Sequence, residues 1–166
     1  MIYLVGVILF GVLAILQSTI VSGMPLLNGT ADVILLFVVA WALQERVESA
    51  WQWCIIGGLF ASVYSALPFG AYVIAYLIAT SIARLLRRRV WKAPYLSMLA
   101  ATFVGTLVVN LIAYIARIIT GVDIPLINAF NLILLPGLLL NLLLAVPVYS
   151  IIHDFAGWLY PEELEA

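Results

Sequence analysis

A first run of apolar residues, Ile2 to Val21, is broken only by Gln17 and two small polar residues, and comparable runs follow it along the chain. A helix needs about 20 apolar residues to cross a bilayer, with a usual range of about 17–25. The succession of such runs therefore predicts a chain whose solvent is lipid. Composition agrees: 66% of the residues are hydrophobic, 9% are charged, and the mean hydropathy is +1.23. A soluble domain carries about 45–50% apolar and about 25% charged residues. The first run lacks Lys or Arg before it and shows no small-x-small cleavage pattern, which predicts a retained helix rather than a signal peptide.

Turn residues divide the runs. Pro25 and Asn28-Gly29 follow the first, Glu45, Arg46 and Glu48 the second, and Pro68-Phe69-Gly70 the third. The expected helices cover about 2–22, 31–44, 49–67, 71–86, 95–119 and 136–152, with a short polar tail over 154–166. This is an all-α integral membrane fold, a single transmembrane domain over residues 1–166. The second run is short for a full span, so whether it crosses stays open. Pro136 suits the first position of the last helix, where its missing N–H loses no bond.

Basic residues orient the bundle, because cytoplasmic connections carry an excess of Lys and Arg. Arg84, Arg87, Arg88, Arg89 and Lys92 cluster between the fourth and fifth helices. That bend is expected in the cytoplasm, which places both termini there as well. Trp41, Trp51, Trp53, Trp91 and Trp158 fall on the same side, where tryptophan is expected at the membrane–water interface.

Few polar residues interrupt the spans. Arg84 is expected to snorkel into the headgroups, and Arg117 to lie at the opposite interface or to pair with Asp123. If Pro136 starts the last helix, Asn110 and Asn141 are expected level on adjacent helices, sharing a hydrogen bond of about 0.6–2 kcal/mol; a helix starting at Asn128 and kinked at the proline would separate their depths. That pair is either glue between helices or the lining of a small polar pocket. Small residues recur at helical spacing as Gly57/Ala61/Ser65, Gly58/Ser62/Ala66 and Ala71/Ala75/Ala79/Ala83. Such stripes are internal seams or seats for a partner's helix. The basic bend Arg87-Arg88-Arg89 with Lys92 attracts anionic lipid or an acidic partner.

No catalytic set is visible. Metalloprotease, nucleophile-elbow and phosphate-loop patterns are absent, Cys54 stands alone, and His153 sits beside Asp154 at a helix end. Neither a cofactor, a metal nor a nucleic-acid partner is expected. No ring of polar and aromatic residues converges on one depth of the sequence pattern, which weighs against a small-molecule site.

Several pieces in order resemble the rod shape-determining protein MreD family of bacterial inner-membrane proteins. They are Leu16-Gln17-Ser18-Thr19-Ile20, Pro25 with Asp32-Val33-Ile34-Leu35, Gly57-Gly58-Leu59, Pro68-Phe69-Gly70, Leu140-Asn141-Leu142-Leu143 and Pro147-Val148-Tyr149. The likeness covers nearly the whole chain. Ser62 stands where the family often has an acidic residue. The resemblance implies a non-enzymatic scaffold of the cell-wall elongation machinery that binds MreC. It further implies work beside MreB, a SEDS glycosyltransferase and a penicillin-binding transpeptidase. It also implies a fold similar to the substrate-binding subunits of energy-coupling factor transporters. The alternative function is a vitamin-like small-molecule binding subunit of a transporter.

Overall fold

The computed structural model describes residues 2–21, 29–45, 47–89, 93–122 and 125–160. Pro25, Asn28, Arg46, Trp91, Lys92, Asp123 and the glutamates of the tail lie outside them, as does the side chain of Arg89. Every regular element among the described residues is helical. In chain order these are α1 (Ile2–Leu16, continued by a π turn over Gln17–Val21), α2 (Val33–Leu43), α3 (Ala50–Tyr64), α4 (Ala71–Arg89), α5 (Pro94–Ile119) and α6 (Leu126–Leu159). By length and composition, α5 with 26 residues and α6 with 34 are sufficient to cross a membrane.

Helix α2 organises the rest. It is apolar on every side, the pattern of a helix surrounded by protein rather than one with a wet face. Its residues Ile34 to Leu43 are all buried. Helices α1, α3, α4, α5 and α6 all pack against it. With 11 residues at about 1.5 Å each, it is only about 16 Å long.

Small residues set the spacing of the shell. A Cβ on Gly58 would stand 2.8 Å from the Val73 Cα, and one on Gly57 would stand 2.9 Å from the Phe10 ring. The Ala79 Cβ lies 3.4 Å from the corresponding point on Gly105. Ala61, Ala75, Ala79 and Ala83 are all buried, and Ala71 is half-buried. Gly57, Gly58, Ala61, Ala75, Ala79 and Ala83 are therefore occupied in internal seams with no access for a partner helix, while Ala66 lies exposed beyond the end of α3. Gly58→Ala is expected to force α3 and α4 apart, destabilising the chain by about 1–3 kcal/mol. Denaturant titration of the purified protein reads this directly.

Several helix limits differ from the sequence expectation. Helix α3 stops at Tyr64, and the Ser65 hydroxyl accepts the Leu67 N–H at 3.0 Å ahead of Pro68. Proline disfavours helical geometry in the residue before it, so the run breaks early. Helix α4 continues through Arg89, so Arg87, Arg88 and Arg89 are helical rather than part of a loop. Helix α6 begins at Leu126, ten residues before Pro136, and extends past His153 and Asp154 to Leu159. Pro136 is thus inside a helix. It offers no N–H to the Leu132 carbonyl and its ring would crowd that oxygen. The preceding turn, Ala129–Leu134, relaxes into π geometry.

The tryptophans divide. Trp51 and Trp158 are exposed, but Trp41 and Trp53 are completely buried. Their rings stack 4.4 Å apart, with Phe37 against both and Phe10 edge-on to Phe37 and Trp53. The stack joins α1, α2 and α3, so Trp41 and Trp53 belong to the core of the bundle rather than to its surface.

Candidate functional site

A short helix buried on all sides must still satisfy its end groups, because its first four N–H and last four C=O groups lack partners within it. The two ends of α2 solve this with different chemistry.

At the N-terminus, Asp32 caps the helix: its carboxylate accepts the Leu35 N–H at 2.9 Å. The Tyr76 hydroxyl, from α4, lies 2.8 and 2.9 Å from the two oxygens of the same carboxylate. Gln17, at the start of the π turn after α1, reaches the same segment. Its amide donates to the Ala31 carbonyl at 2.6 Å and accepts the Val33 N–H at 2.9 Å. Asn141, from α6, accepts the Asp32 N–H at 2.7 Å and donates to the Thr106 hydroxyl of α5 at 3.0 Å. Three side chains, Gln17, Asp32 and Asn141, thus bond the backbone over Ala31 to Leu35, and Tyr76 and Thr106 in turn hold Asp32 and Asn141.

The entry segment is clamped by backbone as well. A Cβ on Gly29 would lie 2.5 Å from the Gly137 nitrogen and 2.6 Å from the Ile133 oxygen. The point for a Gly137 Cβ is 3.3 Å from the Thr30 oxygen. Gly29 and Thr30 therefore run against the stretch of α6 where π geometry gives way to α.

At the C-terminus, arginines of α4 supply donors. Arg87 donates to the Gln44 carbonyl at 2.7 Å. Arg84 donates to the Val47 and Glu48 carbonyls at 3.3 and 3.4 Å, and its guanidinium lies 5.8 Å from the Trp51 ring centre. Arg84 therefore holds the α2–α3 connection, in place of the snorkelling expected of it. Cations near a helix C-terminus also suit its dipole. The Gln44 side chain meets His153 Nδ1 at 3.0 Å, which ties the same connection to α6. Arg88 is exposed.

Asn110 and Asn141 do not bond each other. Asn110 donates to the Thr106 carbonyl at 2.9 Å, within its own helix, while Asn141 takes the Thr106 hydroxyl. The earlier start of α6 removes the basis for matching their depths. Asn141 is level with Thr106, four residues or about 6 Å along α5 from Asn110.

Beside the Asp32 cluster opens a cavity of about 740 Å³. Its polar wall carries Gln17, Asp32, Tyr72, Tyr76, Thr106, Asn110, Tyr114, Arg117 and Asn141, and its apolar wall includes Leu107, Leu111, Leu126, Phe130 and Ile133. Polar and aromatic side chains from segments far apart in the chain thus share one cavity, spread along α5 from Thr106 to Arg117 rather than gathered at a single depth. Asp32, Tyr72, Tyr76 and Thr106 were not singled out as site residues. Besides its place in the Asp32-Val33-Ile34-Leu35 piece of the resemblance, Asp32 is marked only as an acidic residue directly before a wholly apolar run, which is an N-cap position. Among the described residues no group of three His, Cys, Asp or Glu is placed to hold a metal ion. Comparison of the chain with protein-family models, with curated proteins and with solved structures finds no match.

Proposed function

We propose that the chain is a multi-pass protein of the bacterial cytoplasmic membrane, a non-enzymatic scaffold that binds and positions MreC within the cell-wall elongation machinery. The membrane part is supported by length and by surface. Helices of 26 and 34 residues extend about 39 and 51 Å at 1.5 Å per residue, more than the roughly 30 Å of bilayer hydrocarbon. Leu4, Val63, Ile119, Leu139 and Leu143 are each at least 60% exposed, with many other large apolar side chains between them. In water such a surface would drive association; in lipid it is the ordinary exterior. The irregular backbone at Gly29 to Asp32 is surrounded by helices, the condition under which non-helical chain is tolerated at membrane depth. In this reading the chain spans six times with Arg84, Arg87 and Arg88 on the cytoplasmic side, and both termini are cytoplasmic, in line with the excess of basic residues in cytoplasmic connections.

The scaffold part rests on the resemblance to the MreD family, and one observation carries it. The pieces in which that resemblance lies contain the joints of this fold. Gln17, Asp32 and Asn141 join at the head of α2, and Gly57 and Gly58 permit the close approach of α1, α2 and α4 to α3. MreB, the SEDS glycosyltransferase and the transpeptidase are the further partners of this reading, through MreC or beside it. Co-expression of tagged MreC with this chain, followed by purification in mild detergent, tests it. A stoichiometric complex is expected, and repeated recovery of both folded proteins apart would rule the scaffold out.

A further inference from the structure

We propose that the cavity beside α2 is a binding site for an amphiphilic anion, a carboxylate or phosphate carried on an apolar body. This goes beyond the scaffold reading and does not depend on it. The cavity volume, about 740 Å³, falls within the roughly 300–1,000 Å³ range of small-molecule sites.

The distribution of charge selects the ligand. Asp32 already has both carboxylate oxygens engaged, by Tyr76 and by the N-terminus of α2. It offers little to a cation. Arg117 lines the cavity half-buried, and its guanidinium makes no hydrogen bond or ion pair among the described residues. Thr106, Asn110, Ala113 and Arg117 all face the cavity from α5. Thr106 and Arg117 are eleven residues apart, about 16 Å at 1.5 Å per residue. The site is therefore elongated, with the engaged Asp32 carboxyl group and neutral hydrogen-bonding groups at the Thr106 end and a cation at the other. Phe130 and Leu126 complete an apolar side between them. A ligand that fits places its anion on Arg117 and its apolar body along Phe130. Asn110, whose amide nitrogen donates to the Thr106 carbonyl, lines the same wall.

The test uses the full chain purified in neutral detergent, with hexyl phosphate as probe and inorganic phosphate, hexanol and hexyltrimethylammonium as matched controls. A thermal-shift titration is expected to show saturable stabilisation by hexyl phosphate and none by the three controls. Arg117→Gln is expected to weaken that binding about ten- to hundredfold, the range for losing a charged hydrogen bond. Ala113→Trp, which places an indole in the cavity and leaves Arg117 intact, is expected to abolish it. Native mass spectrometry with phosphatidylglycerol and phosphatidylcholine then separates the sources. Retention of phosphatidylglycerol alone, lost in Ala113→Trp, identifies a lipid headgroup; hexyl phosphate binding without lipid retention identifies a soluble organic anion. Equal response to hexanol or hexyltrimethylammonium, equal response to inorganic phosphate, or undiminished binding in both variants would overturn the proposal.

Discussion

Gly29→Ala is expected to keep the chain from its native packing, with a loss of about 3 kcal/mol or more, at or above the upper end of ordinary overpacking penalties. The reason is the identity of the neighbours. The new methyl would meet the Gly137 nitrogen at 2.5 Å and the Ile133 oxygen at 2.6 Å. Both are backbone atoms of α6, so no side chain can rotate away. To make room, α6 must move as a body, and Asn141, one turn beyond Gly137, must move with it. The Asp32 N–H and the Thr106 hydroxyl would then lose their shared partner. Gly121→Ala is the control: that residue has φ near +80° but no heavy atom within 4 Å of its Cβ position. There the penalty is local backbone strain of about 1–2 kcal/mol. Yield of monodisperse protein and the midpoint of denaturant unfolding should separate the two variants clearly.

Asp32→Ala is expected to be comparably damaging, by about 1.5–5 kcal/mol. Loss of the cap on α2 contributes about 0.5–2 kcal/mol. Stranding the buried Tyr76 hydroxyl adds about 1–3 kcal/mol. Asp32→Asn should recover part of this, since an amide oxygen still accepts the Leu35 N–H. Tyr76→Phe removes the hydroxyl itself and should destabilise by about 1–2 kcal/mol. A double-mutant cycle over Asp32 and Tyr76 isolates their coupling. If the two substitutions proved additive, the bond between them would not hold α2 in place.

The helical nature of the apolar runs was legible from hydropathy and turn residues, and α1, α2 and α5 lie close to their expected ranges. The site was not. Gln17, Asp32, Thr106 and Asn141 each appear as a lone polar residue in or beside an apolar run, and the bond between Asp32 and Asn141 joins residues 109 positions apart. Nothing local marks such a pair, because the need they meet, the open end of a buried helix, exists only once the helices have packed. Pro136 misled for a related reason. Proline at a helix start and proline in a helix that widens to a π turn read alike in sequence, and the choice here coincides with the approach of Gly29 to α6. The stacking of Trp41 and Trp53 on Phe37, which buries both indoles in the bundle, is a tertiary contact with no mark in the sequence. Arg84 and Arg87 marked one end of the bundle correctly as basic, while their carbonyl partners on the α2–α3 connection depend on tertiary contact.

Six crossings of the bilayer, with the α4–α5 bend in the cytoplasm, are most directly tested by labelling single cysteines from outside intact cells. Cys54, the one native thiol, is buried and can be replaced by serine as background. Arg88→Cys and Val122→Cys then sit beyond opposite ends of α5, at exposed positions. A membrane-impermeant maleimide should label Val122→Cys in intact cells and Arg88→Cys only after permeabilisation. Labelling of Arg88→Cys from outside, or of both positions from the same side, would contradict the proposed arrangement.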